Sequence, residues 1–186
     1  MNIFALDESP FDCAEMHCDK HVVKMILEYA QLLSTAHRVI DGEEYVDNSS
    51  GRKIKRWRLA DEREDILYKA THVNHPSAVW VRESSWNYSW LFILWAKLLK
   101  EYTYRYGKIH ACESLYSSLK EVPKNLEVSI DYLPIRRISP IPQAMPEECK
   151  VEDEQDYVSA YRNYYNTYKK DFAKWTKRKQ PKWFGG

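Results

Sequence analysis

The stretch HCDKHVVKMILEYAQLLSTAHRVIDG, residues 17–42, decides the fold. Its apolar residues recur at intervals of three and four, which is the spacing of a helix that faces a core. They stand at positions 18, 22, 25, 26, 29, 32, 33, 36, 39 and 40. The pattern predicts a helix over 18–40 that ends at Gly42. Between residues 22 and 33 the only non-aromatic polar side chains are those of Lys24, Glu28 and Gln31, so we expect this helix to be buried nearly all round.

A line of polar side chains follows one face of the predicted helix. It consists of His17, His21, Lys24, Glu28, Gln31 and Thr35, at alternating intervals of four and three. In one interpretation this face is the solvent-exposed side of the helix. Lys24 and Glu28 then form an ordinary (i,i+4) ion pair that stabilises the helix by about 0.2–0.5 kcal/mol. In the other it lines a pocket in which Glu28 is an acid, a base or an electrostatic stabiliser and His21 is its positioning or proton-sharing partner. A rise of about 1.5 Å per residue sets His21 and Glu28 roughly 10 Å apart, so they would flank a substrate.

Cysteine and histidine side chains near the start of this helix suggest a metal site, which helical geometry restricts. Cys18 projects about 100° away from His17, so the two cannot converge with Cys13 and His21 on a closed zinc site. We predict no metal and no other cofactor. The alternative is a catalytic metal held by His17 or His21 together with His72, His75 or His110.

Helix signals recur further along the chain. Ser84 or Ser85 can cap a long helix with Gly107 beyond its end. Asp156 can cap a last helix whose inward side holds Val158, Tyr161, Tyr165, Tyr168 and Phe172 or Trp175. A short helix is expected around 60–70, and five prolines make 121–150 irregular, with a strand-like piece at 126–133. The prediction is an all-α fold: one compact domain over 1–186 with about three long helices and irregular connections, including a polar loop after the first helix.

The composition restricts the class of protein. A chain of 186 residues supports one core, and its 44% apolar and 14% aromatic content excludes a disordered chain. No apolar run approaches the ~20 residues that cross a bilayer, and the first residues are acidic where a secretory signal is basic. We therefore expect a soluble, cytoplasmic protein without a membrane partner, and assign it as a monomer. The four cysteines include no Cys-x-x-Cys pair, which predicts reduced thiols.

Two basic segments contain tryptophan. The first surrounds Trp57 with Arg52, Lys53, Lys55, Arg56 and Arg58; the second is the tail 176–186, with Lys177, Arg178, Lys179, Lys182 and Trp183. Cations beside indoles suit phosphates and unstacked bases, so we predict contact with DNA. A charged loop and a frayed tail are the alternative. Because groups on a buried helix cannot reach a stacked base, the nucleotide would leave the duplex or be presented unpaired. Trp57, Trp183 or Phe184, expected at mobile, exposed sites, would fill the vacated place; the alternative is that these rings pack onto the core.

The string DKHVVKMILE resembles the phage endonuclease V family, the pyrimidine-dimer DNA glycosylases with abasic-site lyase activity. Asp19, His21 and Glu28 have the spacing that this family shows before its catalytic glutamate. NHPSAVWVRESSWNYSW, in which His75 precedes an aromatic helix, is similar to a second family segment. IPQAMPEE and the basic, aromatic C-terminal end are similar to a third.

The resemblance implies an enzyme that removes a damaged or modified pyrimidine from DNA, with or without lyase activity. In that family the amine of the residue after the initiator methionine attacks the sugar C1′, and the glutamate assists. Here residue 2 is Asn, before which methionine is normally retained, so the counterpart is the Met1 amine. Lys24 in a buried stripe, or an activated water, are alternative nucleophiles. The positions at which the family has arginines are occupied here by Ile3, Leu27 and Gln31, so those arginines are missing.

Further residues are expected at the substrate: Asp19, Gln31, His75, Arg82 and Asn87. For Arg82 and Asn87 the alternative is that they cap or solvate the start of a helix. Two other functions are alternatives to the glycosylase. One is a phage enzyme that transfers or removes a group at a modified thymine, and the other is a non-catalytic DNA-binding module.

Overall fold

The computed structural model describes residues 1–49, 51–126 and 138–185. Within these ranges the chain forms a single compact domain that is 53% helical, with a small two-stranded sheet. The α-helices are α1 (Pro10–Met16), α2 (Asp19–Asp41), α3 (Arg63–Ile66), α4 (Pro76–Glu83), α5 (Ser85–Tyr106), α6 (Tyr116–Leu119) and α7 (Tyr157–Tyr168). Short 3-10 helices lie at Ala111–Leu115, Glu147–Cys149 and Glu154–Asp156. The mostly helical class is thus confirmed.

The ends of the long helices follow their predicted signals. Gly42 ends α2, and its N–H donates to the Arg38 carbonyl at 2.9 Å. The Ser84 hydroxyl accepts the Asn87 N–H at the start of α5, and Gly107 ends that helix with a left-handed φ of 65°. Asp156 caps α7 by accepting the Ser159 N–H. These features are local, which is why the sequence predicts them.

The prediction of a polar loop after α2 is wrong, because this segment forms a β-hairpin. Strand β1 (Glu43–Asp47) pairs antiparallel with β2 (Ile54–Arg58), with Glu43 opposite Arg58 and Glu44 opposite Trp57. Cross-strand pairs of opposite charge and the β-branched and aromatic positions favour the pairing. The fold is therefore not purely α-helical.

Arg38 attaches the hairpin to the helical core. Its side chain is almost fully buried and donates to the carbonyls of Trp57, Tyr68 and Leu67 and to both the carboxylate and the carbonyl of Glu64. One guanidinium thus joins α2, β2 and the segment around α3, because its donors form a rigid fork.

The core lies between α2 and α5, with α1 and α4 packed against them. Its largest fully buried side chains include Tyr29, Trp80, Tyr88 and Trp95. However, Val23 and Leu27 on α2 are 44% and 41% exposed. The prediction that α2 is buried nearly all round is wrong, because apolar composition alone does not ensure that another element covers each face. The open strip of α2 lies beside Lys24 and Glu28.

The remaining predicted elements are partly realised. The short helix around 60–70 is α3, and the residues described between 138 and 150 are irregular apart from one 3-10 turn. Tyr161 and Tyr165 are buried as predicted, but Tyr168, the last residue of α7, is 45% exposed. Apart from Leu126, the predicted strand-like piece falls in 127–137, outside the described residues. Among the residues that are described, no helix is both long and apolar enough to cross a membrane.

Candidate active site

The first residues of the chain are threaded into the core. Residues 3–6 are all buried. The Phe4 N–H donates to Tyr29 Oη at 3.0 Å, and the Leu6 N–H donates to Cys13 Sγ at 3.3 Å. Arg162 Nε donates to the Leu6 carbonyl at 2.9 Å. These contacts fix the position of the α-amine at Met1.

The Met1 amine lies beside the carboxylate of Glu28. Met1 N is 3.9 Å from Glu28 Oε2, and Lys24 Nζ is 3.1 Å from Oε1 of the same carboxylate. The Glu28 side chain is only 17% exposed and the Met1 side chain 6%. The structure therefore joins two of the predicted catalytic residues, a nucleophilic group and an acid or base.

Lys24 is placed differently from the prediction. Its side chain is 68% exposed and makes an (i,i+4) ion pair with Glu28. The burial that would make a lysine nucleophilic is absent. Of the two amino groups near Glu28, only that of Met1 is held by a buried segment.

His21 is hydrogen bonded to a residue other than Glu28. Its ring is buried, with Nδ1 hydrogen bonded to Tyr165 Oη at 2.5 Å and the ring centroid 4.3 Å from that of Phe4. Burial lowers the pKa of His21 to about 2, and the positive field of neighbouring groups contributes. His21 thus takes a structural role between α2 and α7, and the predicted proton sharing with Glu28 is not formed.

His75 does reach the amine and the carboxylate electrostatically. Burial lowers its pKa, the charge of the Met1 amine lowers it further, and Glu28 opposes the change. Nδ1 accepts the Ser77 N–H at 3.2 Å and caps α4, so in the neutral ring Nε2 carries the proton. The neutral form of His75, predicted as a substrate residue, therefore has an Nε2–H that the helix cap does not use.

Two polar residues continue the line on α2 beyond Glu28. Gln31 is half-buried, and Thr35 is buried with Oγ1 accepting the Thr71 N–H at 3.2 Å. Thr71 begins the loop that leads to His72 and His75. The sequence did not reveal this link between α2 and the 71–75 loop, although the place of Thr35 on the polar line was a signal for it.

Three residues predicted at the substrate have structural partners. Arg82 donates to the carbonyls of Ala78 and Val73. Asn87 is fully buried, donates to the Trp80 carbonyl and Ser139 Oγ, and accepts the Ser139 N–H. Asp19 accepts from Arg105 and from the N–H and hydroxyl of Thr176. The polar groups of Arg82, Asn87 and Asp19 are thus bonded to other parts of the domain.

A groove of about 540 Å³ runs between the hairpin and the segment 70–74. Its lining residues are Glu44, Ile54, Lys55, Arg56, Trp57, Ala70, Thr71, His72, Val73 and Asn74. Arg56 and Trp57 are half-buried, whereas Arg52, Lys53 and Arg58 are exposed on the same hairpin. The groove therefore gathers part of the first predicted basic segment into a concave surface.

The C-terminal tail is packed against the domain. Arg178 donates to both carboxylate oxygens of Glu101 at 2.9 Å and pairs with Glu15 at 3.1 Å. Phe184 is buried, and Trp183 contacts Tyr165 with ring centroids 5.9 Å apart. The prediction of mobile, exposed aromatic residues is therefore wrong for this end of the chain.

The cations of the tail differ in their availability. Lys177 Nζ donates to the Tyr104 carbonyl at 2.9 Å, whereas Lys179 and Lys182 are exposed and have no ion pair with a described residue. A phosphate contact by Lys179 or Lys182 stays a prediction. For Arg178 the two acids supply the partners that a phosphate would otherwise supply.

Arg178→Ala is expected to lower the free energy of unfolding by about 1–2 kcal/mol, because it leaves one oxygen of the buried Glu101 carboxylate without a donor. Lys179→Ala combined with Lys182→Ala is the matched control and should change stability by less than about 0.5 kcal/mol. Urea denaturation at neutral pH measures both. If Arg178→Ala leaves the urea midpoint unchanged but weakens DNA binding, the assignment of Arg178 to the scaffold is wrong.

The cysteines in the described ranges are buried, and the possible metal ligands there are not grouped. Cys13, Cys18, Cys112 and Cys149 are free and buried, and burial raises the pKa of Cys13 to about 12. Within 1–49, 51–126 and 138–185, no three His, Cys, Asp or Glu side chains are grouped so that they could hold a metal ion. In particular, His17 Nδ1 donates to the Cys13 carbonyl and its Nε2 is hydrogen bonded to Tyr29.

Comparison with models of protein families, with curated proteins and with solved structures finds no match to this chain. The assignment of a function therefore depends on the geometry of Met1, Glu28 and His75, and on the groove at the hairpin.

Proposed function

We propose that this chain is a DNA glycosylase-type enzyme that acts on a damaged or modified pyrimidine, with the Met1 amine as nucleophile and Glu28 as its acid–base partner. The observation that carries the proposal is the 3.9 Å separation of Met1 N and Glu28 Oε2. A surface ion pair would not need residues 3–6 to be buried in order to hold it. An attacking group, in contrast, gains rate from being held in one place.

The chemistry follows from these two groups. Unperturbed α-amines titrate at about 7.7–8.0, so as a class they are partly neutral, hence nucleophilic, at neutral pH. The amine nitrogen forms a bond to C1′ while the bond from C1′ to the base breaks, and the leaving base takes up the proton that the amine loses. The sugar ring then opens: the C1′–O4′ bond breaks, O4′ takes up the second amine proton, and the resulting imine (Schiff base) is the species that borohydride reduces. Glu28 accepts a proton from the attacking amine, and its negative charge stabilises the cationic sugar. The Nε2–H of His75 is available to a departing base or sugar oxygen.

The test is to trap the covalent adduct with borohydride and locate it. Duplexes containing ultraviolet dimers, uracil, modified thymines or an abasic site are incubated with the protein, reduced and digested for mass analysis. We expect the added mass on the peptide that begins at Met1, which also establishes that the methionine is retained. Placing two residues ahead of Met1 turns the amine into an amide and should abolish the adduct, whereas Lys24→Gln should leave it.

Other outcomes would overturn the proposal in distinct ways. An adduct on Lys24 would transfer the nucleophile to that residue, and base release without any adduct would favour water. A modified thymine that changes mass without leaving the DNA would indicate the group-transfer enzyme. Binding without turnover on every duplex would indicate the non-catalytic module.

A further inference from the structure

We propose that the groove between the hairpin and residues 70–74 binds an unpaired nucleotide a few positions along the same strand from the reacting one, with its phosphate at Arg56 and its base on Trp57. This inference rests on the proposed function and adds the form of its substrate, a locally single-stranded segment of DNA. The volume of about 540 Å³ lies within the ~300–1,000 Å³ range of ligand sites.

Arg56 supplies the first argument. Its side chain is 25% exposed, and its guanidinium makes no hydrogen bond within the described ranges. The nearest acid, Asp47 Oδ2, is 3.8 Å from Nε, while Asp47 Oδ1 accepts the Ser49 N–H. A guanidinium whose donors lack acceptors is suited to the oxygens of a phosphate, which it can bind in bidentate fashion.

The charges that line the groove support an anionic ligand. Lys55 and Arg56 are opposed by one carboxylate, that of Glu44. Glu44 pairs with Lys55 at 2.8 Å, and both side chains are substantially exposed, so this pair contributes little. The lining cation with the weaker partner is Arg56, since Asp47, which does not line the groove, lies 3.8 Å from its Nε, and Arg52 and Lys53 are exposed nearby on the same hairpin.

Trp57 supplies a surface for a base. Trp57 lines the groove and is half-buried, and its carbonyl accepts from Arg38 NH1 at 3.0 Å, which holds β2 in place. Arg56 and Trp57 are successive residues of β2, so their side chains leave opposite faces of the strand, and both residues line the groove. They supply the combination by which proteins bind single strands, stacking on aromatic rings and pairing with phosphates.

The opposite wall connects the groove to the reactive pair. His72 has a left-handed φ of 49°, is exposed, and its Nδ1 is hydrogen bonded to Thr71 Oγ1 at 2.8 Å. Thr71 is held by Thr35, which lies seven residues beyond Glu28 on α2, or about 10 Å. At ~3.4 Å per stacked nucleotide, one strand spans that distance within about three nucleotides. A strand that reacts at Glu28 therefore needs only a few nucleotides to reach Thr35, whose partner Thr71 lines the groove.

The experiment measures binding without chemistry. A short fluorescent single strand that carries an unreactive tetrahydrofuran abasic analogue is titrated with the protein at several salt concentrations. Arg56→Gln is expected to reduce the slope of log affinity against log salt by about 0.7, which is one phosphate contact on a single strand. Trp57→Ala is expected to weaken binding by about 5- to 150-fold, and Trp57→Phe should restore part of this loss because it keeps an aromatic face.

Controls separate the groove from general charge effects. Lys108→Gln removes an exposed lysine outside both basic segments and should leave the affinity and the salt slope unchanged. Circular dichroism and the urea midpoint of each variant establish that the hairpin mutants fold. If Arg56→Gln keeps the wild-type slope, or Trp57→Ala keeps the wild-type affinity, the groove does not bind the strand.

The form of the ligand and the chemistry are distinguished in the same series. If deoxynucleoside monophosphates compete as well as the oligonucleotide, the groove is a site for free nucleotides. That result would overturn the proposal that it binds a DNA strand. The borohydride adduct at Met1 tests the proposed function independently. An adduct that forms in Arg56→Gln at the wild-type rate and affinity would leave the proposed function intact and overturn only the groove.

Discussion

Glu28→Gln is expected to slow the single-turnover formation of the borohydride-trapped adduct by about 10²–10⁴-fold, which is the usual contribution of a positioned acid or base. Glutamine keeps the size and shape of the side chain but can neither accept a proton from the Met1 amine nor supply a negative charge beside the sugar. Because the partner Lys24 is 68% exposed, the loss of this ion pair should alter stability by less than about 1 kcal/mol. DNA affinity should be nearly unchanged.

Lys24→Gln is the matched control for this measurement. It removes the other charge of the same ion pair, at a side chain that is mostly in solvent, and should change the rate by less than about tenfold. Rapid-quench kinetics with an abasic duplex, beside the urea midpoints of both variants, make the comparison. A Glu28→Gln rate within a factor of ten of wild type would remove Glu28 from the chemistry.

Acidification from pH 6.5 to 4.5 is expected to lower the free energy of unfolding by on the order of 6 kcal/mol, about 2 kcal/mol for each of three buried histidines. Burial lowers the pKa of His17 and His37 to about 4 and that of His21 to about 2. Below pH 6.5 the unfolded chain binds protons that the folded chain does not. The stabilisation is therefore complete above pH 6.5 and is lost as the pH falls towards 4.

The positive charge of Arg63 adds to the effect of burial in favouring the neutral ring of His37. His37 Nε2 donates to Tyr88 Oη at 2.7 Å, since Tyr88 itself donates to the Leu119 carbonyl, and His37 Nδ1 accepts from Arg63. A proton on that Nδ1 would break the bond from Arg63 and face its positive charge.

Urea midpoints at pH 6.5, 5.5 and 4.5 measure the effect, and the window lies above the range where most carboxylates titrate. The slope at pH 5 should correspond to about three protons taken up on unfolding. The His110→Gln variant, changed at a half-buried ring, should keep most of that slope. A midpoint that does not move between pH 6.5 and 4.5 would show that the three rings are already protonated in the folded protein.

Local signals explain why the sequence predicted the long helices. The apolar spacing of α2, the Ser84 cap of α5 and the Asp156 cap of α7 each act within a few residues. The hairpin escaped prediction because its strands carry charges on both faces and are held by Arg38 on a different element.

The candidate site was predictable only in part for the same reason. The polar line singled out Glu28, and the resemblance added Met1, but their approach depends on burial of residues 3–6 against α2 and α7. The hydrogen bond of His21 to Tyr165 was not predicted, because the two residues are 144 positions apart in the sequence. Nothing near Arg178 in the sequence indicated that Glu101 would bind it.

Arg38 has a thermodynamic consequence for anything that binds beside it. Its five donors hold the Trp57 backbone and the segment around α3 in fixed relation before a ligand arrives. A site built from two free loops would lose about 0.5–1.5 kcal/mol of conformational freedom for each side chain that a ligand immobilises. Here the backbone of one wall is ordered during folding, so the hairpin is preorganised, and binding should carry a smaller entropic penalty than two mobile loops would impose.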